Sequence, residues 1–426
     1  SGINWTARKD EAIITEFDRD RRWRTSALMN LKKAETSRKV LFDLSINDAY
    51  NDPGTPVYET SIRGENYITQ DGDWIYLSGR GATESGDRPK LDRFNIKTLK
   101  KEKLFQCDNE SYERFIAFVK GDRKRILTRF ETKNIPPNYF ILELSSGKRT
   151  KLTSFKDPAP QLTSVKKSLI KYNRKDGVQL SGTLYLPPDY VEGTRLPLVI
   201  WAYPLEYSDP STAGQVRSSP NSFTFFRGAS PLFFLTQGYA VLMDATMPVV
   251  GDPETMNNTF IEQIVNSGRA AIDKLDSMQV VDRNRVLVMG HSYGAFMTAN
   301  LLAHSDDFAA GIARSGAYNR SLTPFGFQSE RRSFWEASDV YMKVSPFTYA
   351  NKINEPLLII HGAADNNPGT HTMQSERLFQ AIKGNGGTAR LVLLPHESHG
   401  YIARESVLHT LAEMFEWADK YVKNKK

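Results

Sequence analysis

A single cysteine in 426 residues, Cys107, excludes any internal disulfide, so the fold must rest on cores of adequate size. No uninterrupted apolar stretch approaches the roughly 20 residues a helix needs to cross a bilayer, which argues against membrane insertion. A signal peptide is also missing. Ser1-Gly2 reads as an expression scar or an internal start, so that absence decides little. The expectation is a soluble protein whose native N-terminus lies upstream, with periplasm, cytoplasm and plastid stroma all left open. No Lys/Arg stripe runs along a helix and no nucleic-acid motif occurs; basic residues alternate with acidic ones, as in Arg19-Asp20-Arg21-Arg22. The net charge of +7 is carried mostly by residues 1–155, with 29 Lys+Arg against 23 Asp+Glu, leaving 27 against 26 for the rest. A solvated surface explains this balance better than a nucleic-acid face.

What is present describes an ordinary globular chain, 40 % hydrophobic and 25 % charged, long enough for two domains. Residues 1–160 show strands, turns and a degenerate repeat without a convincing helix, the pattern of propeller blades. Three copies are visible, centred on Glu11–Glu16, Asp73–Ser78 and Arg125–Arg129, each followed by a second strand, a Lys-rich turn and a closing strand. Three blades do not close a ring, so this part is expected to be an incomplete β-propeller. After Asp157-Pro-Ala-Pro160, two antiparallel strands (Lys167–Lys171 and Val178–Tyr185) lead into alternating strands and helices. Residues 161–426 thus predict an α/β-hydrolase with a doubly wound, mostly parallel sheet.

Within that alternation, Gly290-His291-Ser292-Tyr293-Gly294 lies between a β-branched run, Arg285–Met289, and a helix-like run, Ala295–His304. The pattern reads as a nucleophile elbow, a turn so tight that side chains at 290 and 294 would collide, with Ser292 exposed at its tip. A developing oxyanion there meets the Tyr293 backbone N–H at the helix start. The motif alone is weak, and its context carries the reading. A serine nucleophile needs a base and an orienting carboxylate, in this fold in the order Ser, Asp or Glu, His. Asp365 follows the strand-like Glu355–His361, and His396 and His399 follow the strand-like Ala389–Leu394. Spacing does not choose between these two histidines. His396-Glu-Ser-His399 is one residue short of the zinc-binding H-E-x-x-H spacing, so no metal is expected, and no cofactor is needed. His291 and His361 read as packing or hydrogen-bonded residues.

The runs Gly290–His304, Gly311–Asn319, His361–Thr370 and Leu394–Tyr401, behind a propeller-like region, resemble the prolyl oligopeptidase family of serine peptidases, in particular its glutamyl endopeptidase branch. The resemblance implies Ser292 as nucleophile, Asp365 as orienting acid and His399 as general base. It also implies a tyrosine hydroxyl as second oxyanion donor, in a loop after an early strand, where Tyr203 stands. Relatives usually continue with Gly-Pro or Gly-Gly-Pro there, whereas this chain has Pro204-Leu205-Glu206. Asn319, Arg320, Phe325 and Phe327 fall in the segment that lines the pocket for the residue before the scissile bond, and Asn367 is expected to point into it. Arg320 is then the partner for a substrate Glu or Asp carboxylate. The expected partners are peptides, cleaved after acidic residues through an acyl-enzyme. Prolyl or dipeptidyl cleavage, or carboxylester hydrolysis, is the alternative within the same mechanism. An inactive peptide-binding propeller scaffold is the alternative of another class.

Overall fold

Period-2 alternation of apolar and polar residues builds three antiparallel sheets in the first part of the chain, in a computed structural model that describes residues 2–424. The first sheet pairs Gly2–Trp5, Glu11–Asp18, Trp23–Asn30 and Lys39–Ser45 in sequence order. The second is built on Trp74–Gly79, Lys90–Asn95 and Lys101–Gln106, and the third on Tyr112–Val119, Asp122–Glu131, Asn138–Glu143 and Arg149–Lys151. The middle sheet buries both faces. Ile75 and Leu77 join Ile13, Leu41 and Phe94 in one core, while Tyr76 joins Leu91, Phe115 and Ile126 in another. Stacked blades of a partial propeller, of four, five and four strands, are the result. One helical turn, Ala34–Ser37, follows a 3₁₀ turn in a connection that the sequence pattern left without a helix.

The chain divides into two units. The propeller unit runs to Thr163 and also takes in Gln215–Thr224, an excursion from the later sequence that composition did not announce. Polar contacts fix it: Gln215 Nε2 donates to Asp48 Oδ1 at 2.9 Å, and the Val216 amide donates to the Tyr50 hydroxyl at 3.0 Å.

The second unit is an α/β-hydrolase. Its eight strands are β1 (Lys166–Asn173), β2 (Gln179–Leu186), β3 (Leu196–Tyr207), β4 (Ala240–Val250), β5 (Val281–His291), β6 (Ala310–Arg314), β7 (Leu357–Gly362) and β8 (Ala389–Leu394). They lie in the order β1-β2-β4-β3-β5-β6-β7-β8, antiparallel for the first two pairings and parallel from β4 onward. Helix α1 (Phe260–Ser277) buries Phe260, Ile261, Ile264, Ala271, Ile272 and Leu275 on one stripe. Helix α2 (Tyr293–His304) is buried on all sides from Tyr293 to Ala303, as a central helix of this fold must be. Helix α3 (Met373–Gly384) and helix α4 (Arg404–Ala418) complete the layers, and the expected extension of α4 to Val422 is a π-helical turn instead. The sequence pattern predicts a helix over Ser230–Gln237; the structure forms a 3₁₀ helix there, Pro231–Gln237, closed by Gly238 in the left-handed region at φ 79°.

Candidate active site

The turn between β5 and α2 is set by close approach. A Cβ at Gly290 would lie 2.3 Å from the Gly294 carbonyl carbon, and one at Gly294 would lie 2.6 Å from the Ala202 oxygen. Ser292 between them takes φ 57°, ψ −117°, a conformation that costs a non-glycine residue on the order of 1–3 kcal/mol. Its backbone N–H donates to Arg314 O at 2.8 Å, and its carbonyl accepts from the Ala295 and Phe296 amides, starting α2. The Tyr293 amide is one of the orphan donors of that helix start.

Tyr203 lies in β3, which continues past a register shift near Ile200–Ala202 and pairs Tyr203 with Thr246. The sequence pattern ended this strand at Ala202 and put Tyr203 in a loop; the continued pairing with β4 corrects that. Burial raises the pKa of its hydroxyl, an effect the side chains of Gln328 and Ser292 oppose, and its ring meets Tyr293 edge-on at 5.8 Å.

Asp365 lies just past the carboxyl end of β7. Its Oδ2 accepts from His399 Nδ1 at 2.8 Å, and its Oδ1 accepts the Asn367 amide at 2.9 Å. Burial pushes this carboxyl up, but the hydrogen bonds from His399 and the Asn367 amide, with the two nearby imidazoles, hold it below its usual range. Of the two loop histidines, His396 is exposed at φ 62°. Among the described residues no hydrogen bond joins Ser292 Oγ to His399; in unliganded enzymes such contacts are often long and tighten on binding.

A cavity of about 450 Å³ opens beside Ser292, with Arg320, Phe325, Phe327 and Asn367 in its wall. Arg320 is 4 % exposed, and its guanidinium lies 4.1 Å from the Phe296 ring centre and 4.6 Å from that of Phe327. Its Nε is buried without a hydrogen-bond acceptor, and the Glu206 carboxylate acts on its charge. Phe327 is buried beneath it, whereas Phe325 stands 81 % exposed against Trp335. Asn319 departs from expectation: it is not in the cavity wall, because its Oδ1 accepts from the Ser321 amide and hydroxyl and caps the Arg320–Leu322 turn.

The sequence profile of the prolyl oligopeptidase family matches residues 260–425. The chain is 44 % identical over 439 aligned positions to the probable chloroplastic glutamyl endopeptidase of Arabidopsis thaliana, covering 99 % of this chain and 46 % of that protein. The probable chloroplastic glutamyl endopeptidase of Oryza sativa subsp. japonica matches at 44 % as well, with 99 % and 47 % covered. Residues 260–425 belong to the prolyl oligopeptidase family. The chain spans about half the length of these curated relatives. A solved structure of a putative dipeptidyl aminopeptidase IV from Bacteroides ovatus superposes with TM-score 0.69 at 15 % identity, over 99 % of this chain and 66 % of that one. A puromycin hydrolase gives 0.67 at 15 %, over 99 % and 69 %. At such identity these two speak for the fold alone. No helix among the described residues is long and apolar enough to cross a membrane.

In this prolyl oligopeptidase family region the electrostatics of the strand ends bear on stability. His291 packs 4.8 Å from His399, and burial, helped by Arg314 and His399 and opposed by Asp365, pushes its pKa down to about 3. The unfolded chain takes up that proton near pH 6.5. Unfolding therefore binds a proton between these values, and the contribution, complete above about pH 6.5, is lost as pH falls toward 3. His361, also lowered chiefly by burial, acts in the same direction. Thermal unfolding followed from pH 7 to 4 should show a falling Tm with a shallower slope for His291→Gln; equal slopes would remove His291 from this account.

Sequence reading missed three residues of this site. His361 lies at hydrogen-bonding distance from Asp365, although only its hydrogen-bonded character was legible. Gly362 has the Ser398 and Glu397 carbonyl oxygens where its Cβ would be, at 2.2 and 2.4 Å. Glu206, visible only as a departure from the family's Gly-Pro pattern, is buried and interacts with Tyr293 and Arg320. Contacts between strand ends carry no local sequence signal, although the His361-Gly362 pair ahead of Asp365 was the available hint.

Proposed function

We propose that this chain is a serine peptidase that cleaves peptides after Glu or Asp. Ser292 Oγ attacks the scissile carbonyl while His399 Nε2 takes its proton, and Asp365 holds the Nδ1–H of that imidazole. The tetrahedral oxyanion is received by the Tyr293 amide and the Tyr203 hydroxyl. Collapse expels the amine, protonated by His399, and leaves an ester on Ser292 that water then cleaves by the same proton path. Support for the acid comes from the 2.8 Å Asp365–His399 contact and from the strand-end order common to this fold.

The observation that carries the specificity is Arg320: a buried guanidinium in the same cavity as Ser292, cradled by aromatic faces, with its Nε buried and without a hydrogen-bond acceptor. Burial lowers its pKa to about 10, which leaves it a cation at neutral pH. A substrate carboxylate entering the cavity pairs with this cation through charge-assisted, bidentate hydrogen bonds. Glu206 offsets part of this charge, so the preference for an acidic over a neutral guest is smaller than an isolated arginine would give.

A panel of chromogenic peptides bearing Glu, Asp, Pro or Ala before the leaving group tests the reading, with fluorophosphonate labelling of Ser292 alongside. Labelling with preferential cleavage after Glu or Asp is the expected result. Cleavage after Pro or Ala discards the acidic pocket and keeps the nucleophile, and absence of labelling sinks the peptidase reading.

A further inference from the structure

We infer that His361 is a positioning residue for the triad acid, gripping the same oxygen of Asp365 that meets His399. This rests on the peptidase reading above. His361 is the penultimate residue of β7 and is fully buried. Its Nε2 lies 3.0 Å from Asp365 Oδ2 and 2.8 Å from Thr370 O. A peptide carbonyl only accepts, so Nε2 carries the proton and shares it between the two oxygens. Nδ1 is then the acceptor, 2.6 Å from the hydroxyl of Ser375, a buried residue near the start of α3. One tautomer of a neutral imidazole satisfies all three contacts, and the packing around it leaves no alternative.

The consequence falls on Asp365. Its Oδ2 takes an N–H from His361 and another from His399, at 3.0 and 2.8 Å, with the Thr370 hydroxyl at 3.2 Å. Its Oδ1 takes the Asn367 amide at 2.9 Å. A carboxylate surrounded by donors stays ionised and fixed in rotation, so the Nδ1–H of His399 meets a fixed acceptor at 2.8 Å, nearer than the Thr370 hydroxyl at 3.2 Å. Without His361 the carboxylate loses that donor, and the carbonyl of Thr370 loses its partner in a buried site. Prearranged aim of the acid, and through it of the general base, is what His361 contributes.

The test separates aim from packing. His361→Leu keeps bulk and removes the donor; His361→Gln places an amide N–H near the position of Nε2. The expected result is a roughly 10- to 100-fold fall in kcat for the Leu variant with KM changed less than twofold. His361→Gln should recover most of that fall. A second readout needs no turnover: in ¹⁵N-histidine-labelled protein, the downfield proton of the His399 Nδ1–H···Asp365 hydrogen bond should shift or broaden in the Leu variant and return in the Gln variant. Equal impairment of both variants, or a Leu variant with wild-type kcat and an unmoved proton signal, overturns the inference. If His361→Leu fails to fold by circular dichroism, Ser375→Ala takes its place. It removes the hydroxyl that fixes the tautomer, and should lower kcat several-fold at constant KM; no change in kcat or in the proton signal overturns the inference equally. A wild type that is neither labelled by fluorophosphonate nor active on peptides counts against the peptidase reading instead, and the proton signal still decides the role of His361.

Discussion

Ser292→Ala is expected to lower kcat on an acidic peptide by roughly a millionfold, His399→Ala by about as much, and the double variant no further than either alone. The reason is that nucleophile and base form one device. Once the hydroxyl is gone the imidazole has no proton to accept, and once the imidazole is gone the hydroxyl is a poor nucleophile at neutral pH. What remains comes from the oxyanion donors and from binding, on the order of 10³-fold over water. Neither substitution removes much buried surface, since Ser292 and His399 are both partly exposed, so the melting temperature should stay near the wild type. Steady-state and single-turnover kinetics of the two single variants and the double variant check this. Additive losses, or a Ser292→Ala protein retaining more than about a thousandth of wild-type kcat, would remove Ser292 as the nucleophile.

Arg320→Leu should cut kcat/KM for a Glu peptide by about a thousandfold while leaving an Ala peptide within a few-fold. The magnitude follows from the 2–5 kcal/mol that truncating one partner of a buried charge pair costs, a tenfold loss for each 1.4 kcal/mol. Part of that loss is the unpaired substrate carboxylate left facing the rings of Phe296 and Phe327. Leucine should also relieve the cost of burying a guanidinium, so the variant is expected to melt no lower than the wild type. Arg320→Lys should restore the preference for acid only in part, because an ammonium neither forks onto a carboxylate nor spreads over aromatic faces as a guanidinium does. The ratio of kcat/KM for Glu over Ala is the number to measure. An unchanged ratio in the Leu variant would assign the acidic preference, if present, to another group.

Much of the architecture was readable because it follows local rules. Alternation marked the central strands of the three blades, and the switch to strand–helix alternation after Pro160 marked the hydrolase. The collision of side chains at Gly290 and Gly294 was legible from the motif, and in the turn a Cβ at either position would run into backbone, of Gly294 and of Ala202 respectively. What escaped depends on distant partners. Tyr203 was assigned to a loop because the apolar run thins out at Ala202, yet pairing with Thr246 of β4 keeps it in the sheet. Gln215–Thr224 left its neighbours in sequence for Asp48 and Tyr50, more than 150 positions earlier. Asn319 is grouped with the pocket because it falls in the segment that lines it in relatives, but a short polar side chain ahead of a turn finds the turn's own amide first. Which histidine meets Asp365 was never in the spacing, since three residues in a loop are enough to turn either one inward.

Gly362 ends β7 with the backbone of the histidine loop lying directly on it: the Ser398 and Glu397 oxygens occupy the space of a side chain, and the Ala364 amide donates to Glu397 O at 2.9 Å. The same glutamate turns its carboxylate the other way and accepts the Ile402 and Ala403 amides ahead of α4. The loop bearing Asp365 and the loop bearing His399 are therefore one casting with a single mould line between them. Lengthening either by a residue, or exchanging one for the equivalent piece of a distant relative, shifts both functional groups together, so these two loops can be transplanted into another scaffold only as a matched set.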